Sequence, residues 1–201
     1  MLLPVFLFTF SCQSRQEKEV HAVWDFLRER PDSALAFLNN YSLSNFDNKK
    51  SRADFALLKS IALDKNYIDI KSDSLIRTAL DYYERNGSAR EKMLCWYYLG
   101  RVQVNCGDFN NAIVSASRAE LYLPDAHDVY QEGLIHMLKE NIYNYSHNHT
   151  EALQEAKFGV KAFSSIKEYR QTLIAKRKQA LDYLSLKDFY HADSLLLTII
   201  T

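Results

Sequence analysis

Glycine and proline are scarce, at five and three residues among 201. That scarcity excludes sandwiches and barrels, whose closely spaced turns need many more of both. There is no excess of charge of either sign, with Lys+Arg and Asp+Glu at 25 each. The basic surface by which a nucleic-acid binder usually shows itself is therefore missing, and no nucleic-acid partner is expected. Cysteine occurs three times and never as C-x-x-C. Cys95 and Cys106 fall on one expected helix, about 16 Å apart along its axis, so they cannot form a disulfide and read as small packing residues. Gly-rich phosphate loops, G-x-S-x-G and H-E-x-x-H are all lacking, so neither an enzyme nor a cofactor is expected. What remains is 47% hydrophobic and 25% charged, rich in Leu, Ala, Lys, Glu and Tyr. Such a composition suits long helices joined by short turns, and the expected class is all-α.

Residues 93–126, "MLCWYYLGRVQVNCGDFNNAIVSASRAELYLPDA", carry the organisation. With Met93 as position 1, Trp96 is position 4, Leu99 and Gly100 are 7 and 8, Ala112 is 20, Ala119 is 27 and Pro124 is 32. Gly100 and Ala112 are small where two helices would cross closely. Gly107-Asp108 makes a turn, with glycine just past one helix and Asp108 capping the next. Pro124 is expected to stop the second helix. The pattern recurs: Ala112, Ala152 and Ala192 stand forty residues apart, and Tyr143 and Tyr183 hold the position-11 site of Gln103. Ile76 and Ala79 occupy the position-24 and position-27 sites one unit earlier. "RPDSALAFLNNY" reads as a helix with Pro31 in its first turn and Asp32 or Ser33 as cap. Val20, Val23, Trp24 and Leu27 before it have helical spacing.

Trp96, Leu99, Gly100, Ala112, Ala119 and Pro124 occupy the positions that define the tetratricopeptide repeat (TPR), which this stretch resembles. Gln103 and Ala116 depart from it, where Tyr and Phe are usual. The resemblance implies a right-handed α-solenoid of helix hairpins, laid out near 16–42, 51–86, 89–122, 126–164 and 167–201. The first twelve residues, "MLLPVFLFTFSC", are set apart. Leu2 to Phe10 is an apolar run too short to span a bilayer but suited to a signal peptide. Ser11-Cys12 at its end resembles a bacterial lipobox, with Cys12 the lipidated residue and 13–201 the repeat domain. Nearly the whole layout resembles secreted TPR lipoproteins of Bacteroidetes.

In such proteins helix A lines a concave groove. Carried over by position, the groove residues are Tyr97, Arg101 and Asn105, with Leu94 and Val104 beside them, then Asn141 and Tyr145, with Met137 and Asn144, and finally Arg177. Tyr, Arg and Asn together suit an extended peptide, although the same tyrosines equally suit packing between repeats. His147 and His149 lack the third ligand that a zinc site needs, so no metal is expected. His136, at the position of Trp96, reads as packed. Asp64 and Lys65 read as a solvated helix end. The last helix leaves Leu195, Leu196, Ile199 and Ile200 as an apolar stripe, a face for self-association or for further repeats of a longer chain. The expected function is a membrane-anchored, periplasm-facing scaffold that binds a protein or peptide. Its rival is the sensor portion of an envelope regulator whose transmembrane and DNA-binding parts lie elsewhere.

Overall fold

A computed structural model describes residues 15–200, with Ile200 described by its backbone alone. The described residues form an all-α protein without a strand. The helices are α1 (Arg15–His21), α2 (Pro31–Leu38), α3 (Lys49–Lys65), α4 (Ser74–Asn86), α5 (Ala89–Asn105), α6 (Phe109–Glu120), the single turn α7 (Leu123–Ala126), α8 (Val129–Tyr145), α9 (His149–Ser165), α10 (Tyr169–Ser185) and α11 (Phe189–Ile200). Cys12 and the first eleven residues lie outside the described part, as does Thr201.

The forty-residue spacing governs the backbone as well as the alanines. Helices α3, α5, α8 and α10 are each 17 residues long and begin at 49, 89, 129 and 169. Helices α6, α9 and α11 begin at 109, 149 and 189. The turns repeat as well: Tyr67, Gly107, His147 and Lys187 all have φ between 57° and 76°. At each the chain leaves its helix through the same pair of bonds, as where Asp108 N–H reaches Gln103 C=O and Gly107 N–H reaches Val104 C=O. This is the Schellman closure, which satisfies carbonyls that the helix end would otherwise orphan. Only Gly107 is a glycine; Tyr67, His147 and Lys187 take up the left-handed conformation against their side-chain sterics.

Small residues set the distance between neighbouring helices. Ala112, Ala152 and Ala192 are fully buried. A Cβ on Gly100 would lie 3.4 Å from the Ala112 carbonyl and 3.5 Å from Ser115 Cβ, so α5 and α6 cross as closely as the spacing anticipates. Between α8 and α9 the approach is tighter, because a Cβ on Gly133 would lie 2.5 Å from the Phe163 ring. Apolar burial is continuous from Val20 to Ile142. Burying each such Leu, Ile or Phe contributes about 1.5–3 kcal/mol.

Three expectations change. The helical spacing of Val20, Val23, Trp24 and Leu27 does not make one long helix: α1 ends at His21 and a 3₁₀ turn, Ala22–Asp25, follows. Val20, Val23 and Leu27 are buried all the same, so the face holds while the helix breaks at two poor helix formers, Val23 and Trp24. Pro31 does open α2, but the residue at its cap is Arg30, with no side-chain capping bond. Pro124 stops nothing, because α6 has ended at Glu120 and Pro124 sits in the first turn of α7.

Candidate functional site

Polar side chains link α3 to α5 and α8 to α10, alongside the apolar core that runs through α3, α5 and α8. Arg101 on α5 donates to Asp64 at the end of α3 at 2.7 Å. Asn105 donates to the Ile70 carbonyl at 3.3 Å. Lys178 on α10 reaches Glu140 on α8 at 2.5 Å, and Asn144 donates to Glu140 and to Asp182, each at 2.7 Å. Glu140 is 2% exposed and Asp182 is fully buried. One Asp182 oxygen has no partner among the described residues. Burial pushes the Asp182 carboxyl up to about 6, with the Glu140 charge adding to the shift and the Asn144 bond opposing it.

Glu140 stands at position 8 of its unit, where Gly100 and Ala180 are the residues of the units on either side. A carboxylate is tolerated there because Lys178 and Asn144 both point charge-compensating N–H groups at it. On the other side of α8, His136 is packed as expected, its Nδ1 2.6 Å from Glu155. Lys139 lies 2.5 Å from Glu155 and 3.0 Å from Glu120. Burial opposes ionisation of Glu155, but the hydrogen bonds from His136 and Lys139 outweigh it and hold the carboxyl below its ordinary range.

The groove residues named from the sequence divide into two sets. Tyr97 is buried at 4% exposure, edge-on to Tyr98, and Arg101 and Asn105 are engaged with Asp64 and Ile70. Asn141 is half-buried, Arg177 is exposed, and Tyr145 is exposed while stacked on Phe109 at 4.8 Å. The first three thus shape the surface, while the second three stand on it.

Sequence reasoning missed the N-terminal segment as part of this face. Arg28 lies 4.0 Å above the Tyr130 ring at the start of α8 and pairs with Glu168, 140 residues away, just ahead of α10. Trp24 lies beneath Arg90 at the start of α5. Glu168 occupies the cap position held by Asn48, Ser88 and Asp128 ahead of α3, α5 and α8, yet caps nothing. That weak capping residue was the one signal in the sequence that its carboxylate was committed elsewhere. Asp64 and Lys65 are not a solvated end either: Asp64 holds Arg101, and Lys65 is half-buried over Tyr130.

His147 and His149 lie with ring centroids 6.1 Å apart, and His149 Nδ1 is 3.0 Å from the Asn144 amide oxygen. Among the described residues no group of three His, Cys, Asp or Glu side chains could hold a metal ion. Cys95 is buried and Cys106 exposed, both as free thiols. No described helix is long and apolar enough to cross a membrane. Leu195, Leu196 and Ile199 are half-buried against α10, whereas Leu173, Leu181, Phe189, Tyr190 and Leu197 are more than a third exposed. The fold therefore defines an all-helical protein. No family model matches the chain, and neither does any curated protein or solved structure.

Proposed function

We propose that the chain is a non-catalytic, TPR-like repeat scaffold of the bacterial envelope, anchored through lipidated Cys12 and facing the periplasm. Helices α3, α5, α8 and α10 form the inner wall of a right-handed solenoid that binds a protein or peptide. One observation carries this reading: four 17-residue helices start at strict forty-residue intervals, each followed by the same left-handed turn. Repetition of one supersecondary unit is how a chain builds an extended wall, and extended walls of helices serve chiefly to bind other chains. The side-chain bonds Arg101–Asp64, Lys178–Glu140 and Asn144–Asp182 support a wall in which these helices stand side by side. On it, Asn141, Tyr145 and Arg177 are the residues that meet the partner, with Tyr97, Arg101 and Asn105 setting its shape. The exposed apolar side chains of α10 and α11 suit self-association.

A photo-crosslinking residue placed at Tyr145 or Arg177 tests the wall in intact envelopes. The same protein is expected to be captured from both positions and not from Lys157 on the exposed side of α9. Equal capture from all three positions contradicts the assignment. Cys12→Ser in parallel is expected to move the chain from the membrane fraction to the soluble one, because two or more acyl chains hold a protein on a bilayer stably.

A further inference from the structure

Where the last turn of α3 meets the first turns of α5 and α8, the N-terminal segment roofs a cavity of about 140 Å³. Trp24, Leu27, Ile61, Leu94 and Tyr98 give it apolar walls. Its volume is close to that of an engineered cavity of about 150 Å³ that admits benzene. The polar groups at its rim are not balanced. Arg28 has Glu168, and Arg90 has Asp128 at 4.0 Å, whose other oxygen caps α8. Lys65 has no carboxylate within ion-pair distance among the described residues, and its ammonium lies 5.8 Å from the Tyr130 ring. Burial lowers the Lys65 ammonium from the ordinary lysine range, Asp64 opposes that shift and Arg28 adds to it.

A second group is orphaned at the same place. Gln131 lines the cavity, is 4% exposed, and its side-chain NH₂ has no acceptor among the described residues. A buried donor left unmatched is costly, and native chains rarely keep one without a ligand or water to meet it. A cation without an anion and an amide without an acceptor thus border one small apolar space. A single carboxylate answers both, accepting from Gln131 and neutralising Lys65. A dianion would exceed the one uncompensated charge.

We propose that this cavity binds a small monocarboxylate, a carboxylate on a compact apolar body about the size of one ring, with Lys65 and Gln131 holding the carboxylate and Trp24, Leu27 and Leu94 enclosing the apolar part. The site is separate from the wall at Tyr145 and Arg177 and does not rest on partner binding there. It also gives the N-terminal segment a second function, since ligand bound beneath Trp24 fastens that segment to α5 and α8. The same chemistry reaches the site either as a free acid or as the last residue of a peptide.

The test is a titration of the full chain followed through the indole N–H resonances. Its two tryptophans, Trp24 and Trp96, are told apart by Trp96→Phe. The probes are phenylacetate, phenylacetamide and a hexapeptide ending in phenylalanine with a free carboxylate. Phenylacetate is expected to shift the Trp24 signal saturably in the millimolar range and leave Trp96 unmoved. Loss of the charge in phenylacetamide is expected to weaken binding by about tenfold, and Lys65→Met to weaken phenylacetate by about as much while leaving phenylacetamide unchanged. Tighter binding of the hexapeptide than of phenylacetate assigns the source to a chain terminus, and weaker binding assigns it to a free acid. Equal affinity for acid and amide, or no response of Trp24 to any probe, overturns the proposal and leaves the crosslinking result at Tyr145 and Arg177 untouched.

Discussion

Lys178→Met is expected to destabilise the chain by about 3 kcal/mol, and adding Glu140→Ala to return most of that loss. Glu140 is 2% exposed and accepts from Lys178 and Asn144 alone among the described residues. Removing the ammonium strands a carboxylate between α8 and α10, a change that typically costs about 3–5 kcal/mol. The lower figure applies because the Lys178 side chain is 28% exposed, so water partly replaces it. Glu140→Ala restores the kind of small residue found at this position in Ala180 and Gly100 and removes the charge that needed a partner. Urea unfolding of the single and double variants measures both steps. A double variant no more stable than Lys178→Met would show that the carboxylate is not what the lysine serves.

Asp182→Asn is expected to stabilise the chain at pH 7 by about 1–2 kcal/mol and to do nothing near pH 4. The Asp182 carboxyl is pushed up to about 6 by burial, from 3.8 in the unfolded chain. Between those values the native chain binds the proton and the unfolded chain does not. Stability therefore falls as pH rises from about 4 to about 6, and the full deficit is present above that range. The amide carries no charge to bury, and its unmatched NH₂ stands where the protonated acid has an equally unmatched O–H, so the two differ only where the acid ionises. Stability curves of parent and variant should converge on the acid side and separate on the neutral side. Parallel curves would mean that Asp182 titrates as an ordinary carboxyl.

The repeat was legible because its cause is steric and local. Ala112, Ala152 and Ala192 must be small wherever paired helices cross, and a forty-residue interval between small residues is visible in one sequence. Among the turns only Gly107 showed itself by its residue type, while the turn at His147 followed from its place in the repeat. Tyr67, His147 and Lys187 adopt the same left-handed conformation without the residue that advertises it, so the turn at Tyr67, between α3 and α4, went unseen. The eight residues between α3 and α4, where later units have three, hid that turn further.

The site was legible by side but not by partner. Position within the repeat places Tyr97, Arg101 and Asn105 on the face that α5 turns toward its neighbours. It cannot say that Asp64 and Ile70, 37 and 35 residues earlier, already occupy Arg101 and Asn105. Glu140 looked like any helical glutamate because its lysine lies on the next unit. The pairing of Arg28 with Glu168 was beyond reach, since a repeat pattern speaks only of adjacent units and this contact spans 140 residues. Trp24, Lys65 and Gln131 meet for the same reason, across three segments that no local rule brings together.

Excision of residues 148–187 tests most directly whether the chain is a stack of interchangeable forty-residue units. The cut joins His147 to Asp188, reproducing the Lys187–Asp188 junction, and seats α11 against α8 as α9 sits now. Urea unfolding should remain a single cooperative transition with helical content reduced in proportion to length, while removal of thirty residues, 148–177, should abolish it. Two deletions that behave alike, or a forty-residue deletion that unfolds without a transition, would contradict it.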